Sequence, residues 1–116
     1  MTGQRSSTAA QQYTIYALCD PDSGEERYVG QTAAPLGIRL EEHCRGDLGK
    51  RSARSAWVKQ QLATGRRPTI KELERFWGTR KDAYAAERKW IVALHRAGRD
   101  LLNYPLPKEV HDAPPE

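Results

Sequence analysis

Two runs of β-forming residues, Tyr13 to Cys19 and Arg27 to Gln31, flank the segment Asp20-Pro21-Asp22-Ser23-Gly24. Such dense turn chemistry between two strands leaves the chain little choice but to fold back on itself as a hairpin. A hairpin alone is only marginally stable in water and must bury a face against further elements. The remaining sequence supplies them. Pro35 and Leu36 open a helix whose apolar positions Leu36 and Leu40 are four residues apart and which ends near Gly46. A basic loop, residues 46–51, follows, and Ser52 or Ser55 then caps a second helix running through Leu62, with Trp57, Val58 and Leu62 inward. Gly65-Arg66-Arg67-Pro68 ends that helix, and Thr69 to Phe76 supplies a third strand.

The most strongly marked element is the last helix. Thr79 fits its N-cap, Asp82 completes a variant capping box, and an apolar stripe follows at Ala83, Ala86, Trp90, Ile91 and Leu94 before Gly98. Leu101 to Tyr104 closes the domain. The order strand, strand, helix, helix, strand, helix describes a small α/β sandwich, a three-stranded, mostly antiparallel sheet flanked by helices. Residues 1–12 are expected to be a flexible lead without the apolar stretch of a secretory signal, and residues 105–116, with four of the seven prolines, a loose tail outside the core.

With 116 residues, 38% hydrophobic and 29% charged, the chain fits one soluble domain with a single core; no stretch approaches the roughly 20 apolar residues of a membrane span. The cysteines Cys19 and Cys44 lack metal-binding spacing and read as reduced core thiols of a cytoplasmic protein. Charge is more informative. The net charge is +4, but residues 39–67 hold eight basic against three acidic residues, net +5, so the excess is concentrated there. A polyanion is the natural partner for such a stretch.

Three features break the patterns that a purely structural chain would show. On a helical wheel Glu87 falls about 40° from Ala83, between Leu94 at about 20° and Ile91 at about 80°, so a carboxylate sits within the apolar stripe. It either reaches solvent or pairs with an arginine at the stripe's edge, or serves as a metal ligand or acid/base group in a cleft. Arg39 and His43 are four residues apart and share one face of the first helix. Tyr16 and Tyr28 lie on the two hairpin strands, and Gly30 stands within the second, where a glycine commonly marks a close approach of a ligand or another backbone.

In this order, these residues resemble the GIY-YIG nuclease family. Thr14-Ile15-Tyr16 resembles the first motif and Tyr28-Val29-Gly30-Gln31-Thr32 the second; Arg39 with His43 matches an Arg-x-x-x-His on the first helix, Glu87 the glutamate of the long helix, and Asn103 a terminal asparagine. The match spans residues 13–104. Thr14 stands in place of the first glycine, and Gln31 where some members carry a lysine, so another cation must lower the tyrosine pKa.

The resemblance implies a metal-dependent endonuclease that hydrolyses phosphodiester bonds of DNA, duplex or branched, with one active site per chain. Glu87 would hold a single Mg²⁺ or Mn²⁺, a hard ion suited to carboxylate and phosphate oxygens. Arg39 would stabilise the phosphate in the transition state, Tyr16 or Tyr28 would take the proton of the attacking water, and His43 would share that proton work. Gly30 and Asn103 would support the catalytic side chains. Arg45, Lys50, Arg51, Arg54, Lys59, Arg66 and Arg67 are the candidates for following a nucleic-acid backbone, contacts that position without reading sequence. No recognition module accompanies them, so specificity would be weak or borrowed from a homodimer or a separate targeting partner. The competing readings are a catalytically inactive nucleic-acid-binding module of the same fold and a small basic regulatory interaction protein. Neither accounts for Glu87.

Overall fold

The computed structural model describes residues 9–46 and 52–111. The elements follow the expected order: β1 (Gln11–Cys19), β2 (Glu26–Thr32), α1 (Leu36–Gly46), α2 (Ala53–Ala63), β3 (Thr69–Gly78) and α3 (Arg80–Arg96), followed by a 3-10 turn at Lys108–His111. The sheet order is β2-β1-β3 and both pairings are antiparallel. Each strand runs a residue or two beyond its sequence-based limits. β1 takes in Gln11 and Gln12, exposed and paired with Gly78 and Trp77, because a partner strand of ten residues offers ladder positions that side-chain patterning does not reveal.

Being central, β1 is covered on both faces, so its two sets of alternating side chains enter two cores. Ile15 joins Val29, Ile91 and Leu94 beneath α3. Tyr16 and Leu18 join Trp57 and Val58 beneath the other helices, with Leu36, Leu40 and Leu62 packed alongside. Strand pleat thereby directs Tyr16 and Tyr28 towards α1 and α2, with Tyr28 near the open edge of β2.

The helix ends obey local chemistry. Ser52, rather than Ser55, caps α2: its hydroxyl accepts from the Ser55 amide at 3.0 Å. At α3, Thr79 Oγ1 accepts from the Asp82 amide at 3.2 Å and Asp82 Oδ2 from the Thr79 amide at 2.9 Å, closing the capping box. Gly98, at φ +95°, ends the helix in the left-handed region. Cys19 and Cys44 are buried free thiols, as expected.

One segment departs from the sequence reading: residues 105 onwards, expected to be a tail outside the core, turn back onto α3. Leu106 packs against the Ile15 core, Arg88 pairs with Glu109 at 3.2 Å, and Arg96 donates to the Glu109 carbonyl at 3.2 Å. Prolines favoured an irregular path there, and one apolar residue suffices to anchor it. The expected loop at residues 46–51 lies almost wholly outside the described residues, as do Lys50 and Arg51.

A buried ion cluster ties the ends of β2, β3 and α3 together. Glu26 is 7% exposed and accepts from Lys71 Nζ and Arg99 Nε, each at 2.7 Å. Burial alone would raise its carboxyl pKa, but the two cations outweigh burial and hold it at about 2. A depressed folded-state value contributes stability above the ordinary value of 4.5, and that contribution is lost as pH falls through 2. Glu26→Gln is therefore expected to cost about 2 kcal/mol at pH 7 and to flatten the acid limb of the stability curve between those values, measured by urea denaturation. An unchanged acid limb would remove Glu26 from the acid-sensitive set.

Candidate active site

The site is organised around Tyr16. Its ring is fully buried and lies across Gly30, its cross-strand partner. A Cβ at Gly30 would stand 2.5 Å from Tyr16 Cζ and closer still to the hydroxyl. The close approach signalled by a glycine within a strand is thus made by a side chain of the neighbouring strand.

The Tyr16 hydroxyl reaches α1. It lies 2.7 Å from His43 Nε2 and accepts from Arg39 Nε at 3.1 Å. The phenol donates to His43 Nε2 in the tautomer that carries its proton on Nδ1, and accepts from it in the other. The shared face of Arg39 and His43 is therefore the face that grips Tyr16. His43 is 2% exposed, and its ring also meets the edge of Tyr28 at a centroid distance of 5.8 Å. Arg39 is half-buried and makes a second contact, from Nη1 to Glu42 Oε1 at 2.9 Å.

Burial pushes the Tyr16 pKa up to about 12, because burying the ring also buries the oxygen, and the opposing pull of Arg39 is too weak to offset it. Arg39 by itself therefore does not supply the lowering expected of Arg39 and a metal together.

Glu87, Tyr28 and Asn103 line one cleft of about 610 Å³ between α3 and residues 103–108. Glu87 is half-buried, burial raises its pKa, and among the described residues it makes no hydrogen bond or ion pair. The arginine partner allowed by the wheel is absent, since Arg88 is engaged with Glu109. Asn103 holds the edge strand: its Nδ2 donates to the Val29 carbonyl at 2.8 Å and its Oδ1 accepts from the Val29 amide at 2.9 Å. Leu102 N donates to the Arg27 carbonyl at 2.6 Å, so this segment lies along the outer edge of β2. Tyr28 belongs to both groups, touching His43 on one side and the cleft on the other.

The expected backbone-binding cations divide. Arg54 does not simply face solvent: its Nη1 donates to the Tyr28 hydroxyl at 3.3 Å and its guanidinium lies 5.2 Å from the Tyr28 ring centroid. Its spacing, three and four residues before Trp57 and Val58, is the signal that would have put it on the inward face of α2. Arg66 pairs with Asp20 at 3.7 Å and with Asp22, securing the hairpin turn. Arg67 and Arg45 share Glu41, at 2.8 and 3.4 Å. Lys59 is exposed and unpaired among the described residues.

No set of three His, Cys, Asp or Glu side chains that could enclose a metal occurs among the described residues. A lone carboxylate without an internal partner is nevertheless a suitable anchor for Mg²⁺, which usually takes one or two protein carboxylates and completes its shell with water and phosphate oxygens.

The Tyr16 and Gly30 geometry is open to direct test. Gly30→Ala is expected to destabilise the fold by about 1–3 kcal/mol in urea titration, since neither strand can yield the space. Alkaline absorbance titration is expected to show one tyrosine ionising near 12, missing in Tyr16→Phe, with stability falling as pH rises from 10 through 12. Wild-type stability that stays flat over that range would show that Tyr16 is not a buried neutral phenol.

The model of the GIY-YIG catalytic domain matches residues 12–100. No curated protein and no solved structure matches the chain.

Proposed function

The chain belongs to the GIY-YIG family, whose members are endonucleases, and on that premise we propose that it is a metal-dependent endonuclease acting on DNA. The observation that carries the reading is Glu87, a half-buried carboxylate without a partner among the described residues, in a cleft also lined by Tyr28. A domain that only bound nucleic acid would gain nothing from a desolvated negative charge there.

Glu87 would hold one Mg²⁺ or Mn²⁺. Once bound, the ion would neutralise phosphate charge and stabilise the leaving 3′ oxygen. Arg39 supplies the second positive charge at the phosphate. To do so it exchanges its bond to Tyr16 for one to a phosphate oxygen, uncovering the hydroxyl. Tyr16 then takes the proton of the attacking water while passing its own to His43 Nε2, already 2.7 Å away. A relay of this kind suits a phenol whose pKa is near 12, because the phenolate need not persist at neutral pH. Tyr28, held by Arg54, orients the water from the cleft side, and Asn103 keeps β2 and Tyr28 in register.

Incubation with supercoiled plasmid tests the proposal. Nicking is expected with Mg²⁺ or Mn²⁺ and none with chelator. Glu87→Gln and Arg39→Ala, with wild-type circular dichroism, are each expected to lower the rate at least about 100-fold. Plasmid left intact by the wild type with either ion, despite binding, would establish the inactive binding module instead. Tyr16→Phe is expected to lose more activity than Tyr28→Phe; the reverse order would move the proton step to Tyr28.

A further inference from the structure

Four large hydrophobic side chains are exposed among the described residues: Ile38, Trp77, Tyr84 and Tyr104. Two of them, Tyr84 and Tyr104, line the cleft that holds Glu87. They come from opposite walls. Tyr84 precedes Glu87 by three residues on α3 and so shares its helical face, whereas Tyr104 follows Asn103 on the segment that seals β2. Tyr84 is 53% exposed and Tyr104 89%, and neither hydroxyl is hydrogen-bonded among the described residues. Packing therefore does not explain either ring. Two cations accompany them on the same walls: Arg88, half-exposed although paired with Glu109, and exposed Lys108.

Bare aromatic faces beside cations suit one kind of partner. In a duplex the base faces are stacked on one another and closed to side chains, and only phosphates and groove edges are presented. An unpaired strand presents both bare base faces and phosphates, the pair of surfaces that aromatic and basic side chains take together. We propose that Tyr84 and Tyr104 form a stacking platform for unpaired bases beside the scissile phosphate, so that this domain prefers nucleic acid with a single-stranded segment over continuous duplex. The proposal rests on the nuclease reading and assigns its substrate class. Arg88 and Lys108 would hold the phosphates flanking the stacked bases, and the phosphate between them would face Glu87 through the cation that Glu87 is proposed to hold.

Binding in chelator, where no cleavage occurs, separates this inference from catalysis. The probes are fluorescein-labelled oligonucleotides of one sequence as single strand, duplex, and duplex with a central unpaired stretch, read by anisotropy. A second set carries 2-aminopurine in the unpaired stretch, whose fluorescence falls when it stacks on tyrosine. The expected result is at least about tenfold tighter binding of the two unpaired forms, quenching of 2-aminopurine, and a loss of about fivefold or more for each of Tyr84→Ala and Tyr104→Ala. Tyr84→Phe and Tyr104→Phe are expected to retain both binding and quenching, because stacking needs the ring and not the hydroxyl.

Equal or tighter binding of the duplex would overturn the inference and leave the nuclease reading standing. Loss in the phenylalanine variants as large as in the alanine variants would also overturn it, showing hydroxyl contacts in place of stacking. Failure of every form to bind, in chelator and again with Ca²⁺ in its place, would overturn this inference, while the plasmid assay decides the nuclease reading separately.

Discussion

The contact of the Tyr16 ring with the Gly30 backbone is the constraint around which this small domain is arranged. Two antiparallel strands are rarely close enough, at one point, for a phenol to lie flat across its neighbour. Removing one Cβ makes room for it here. The ring thereby becomes core, and its hydroxyl is delivered to α1 at a fixed height above the sheet. His43 and Arg39 then hold α1 against the sheet by two hydrogen bonds to one oxygen. Because His43 also touches Tyr28, the second strand's tyrosine is positioned by the same contact. Position and electrostatics are thus coupled: the burial that fixes the phenol also raises its pKa, so the hydroxyl is held neutral at ordinary pH.

The second constraint is the open edge of β2. An edge strand with unpaired backbone groups invites association with another chain. Leu102 and Asn103 occupy that edge, the asparagine amide mimicking a peptide unit towards Val29. That sealing forms one wall of the cleft; α3 forms the other. The C-terminal turn, held by Leu106 and the Arg88–Glu109 pair, keeps the first wall in place. Segments that seem dispensable from their proline content are what give the cleft its depth.

The architecture was legible in the sequence because its signals are local: turn chemistry at Asp20 to Gly24, the Thr79–Asp82 capping box, the stripe on α3. Glu87 was legible because it violates a local rule. The Arg39–His43 pair could be seen to share a face, but its target could not, since Tyr16 lies 23 and 27 residues away and only tertiary packing joins them. For the same reason, charge counting grouped Arg54, Arg66 and Arg67 as backbone-binding cations. The fold assigns Arg54 to Tyr28 and commits Arg66 and Arg67 to the hairpin turn and to Glu41. A net charge reports how many cations a segment carries, not how many acids its neighbours will set against them. Tyr84 and Tyr104 escaped notice because exposure, unlike periodicity, is a property of the assembled surface.

Two carboxylates in this molecule face related problems and meet different ends. Glu26 is buried at the sheet's end, where Lys71 and Arg99 converge on it and hold its pKa at about 2. Glu87 is half-buried on α3 with no cation assigned to it, and its pKa rises. The chain has 19 basic residues and had the means to pair Glu87 as it paired Glu26. Even the adjacent Arg88 is turned to Glu109. Partial desolvation of a carboxylate costs folding free energy, and among the described residues no cation offsets it at Glu87. A cation brought to the cleft would offset that cost, whereas a binder of polyanions would be helped by losing the charge altogether; on this contrast rests the proposed metal-dependent reading.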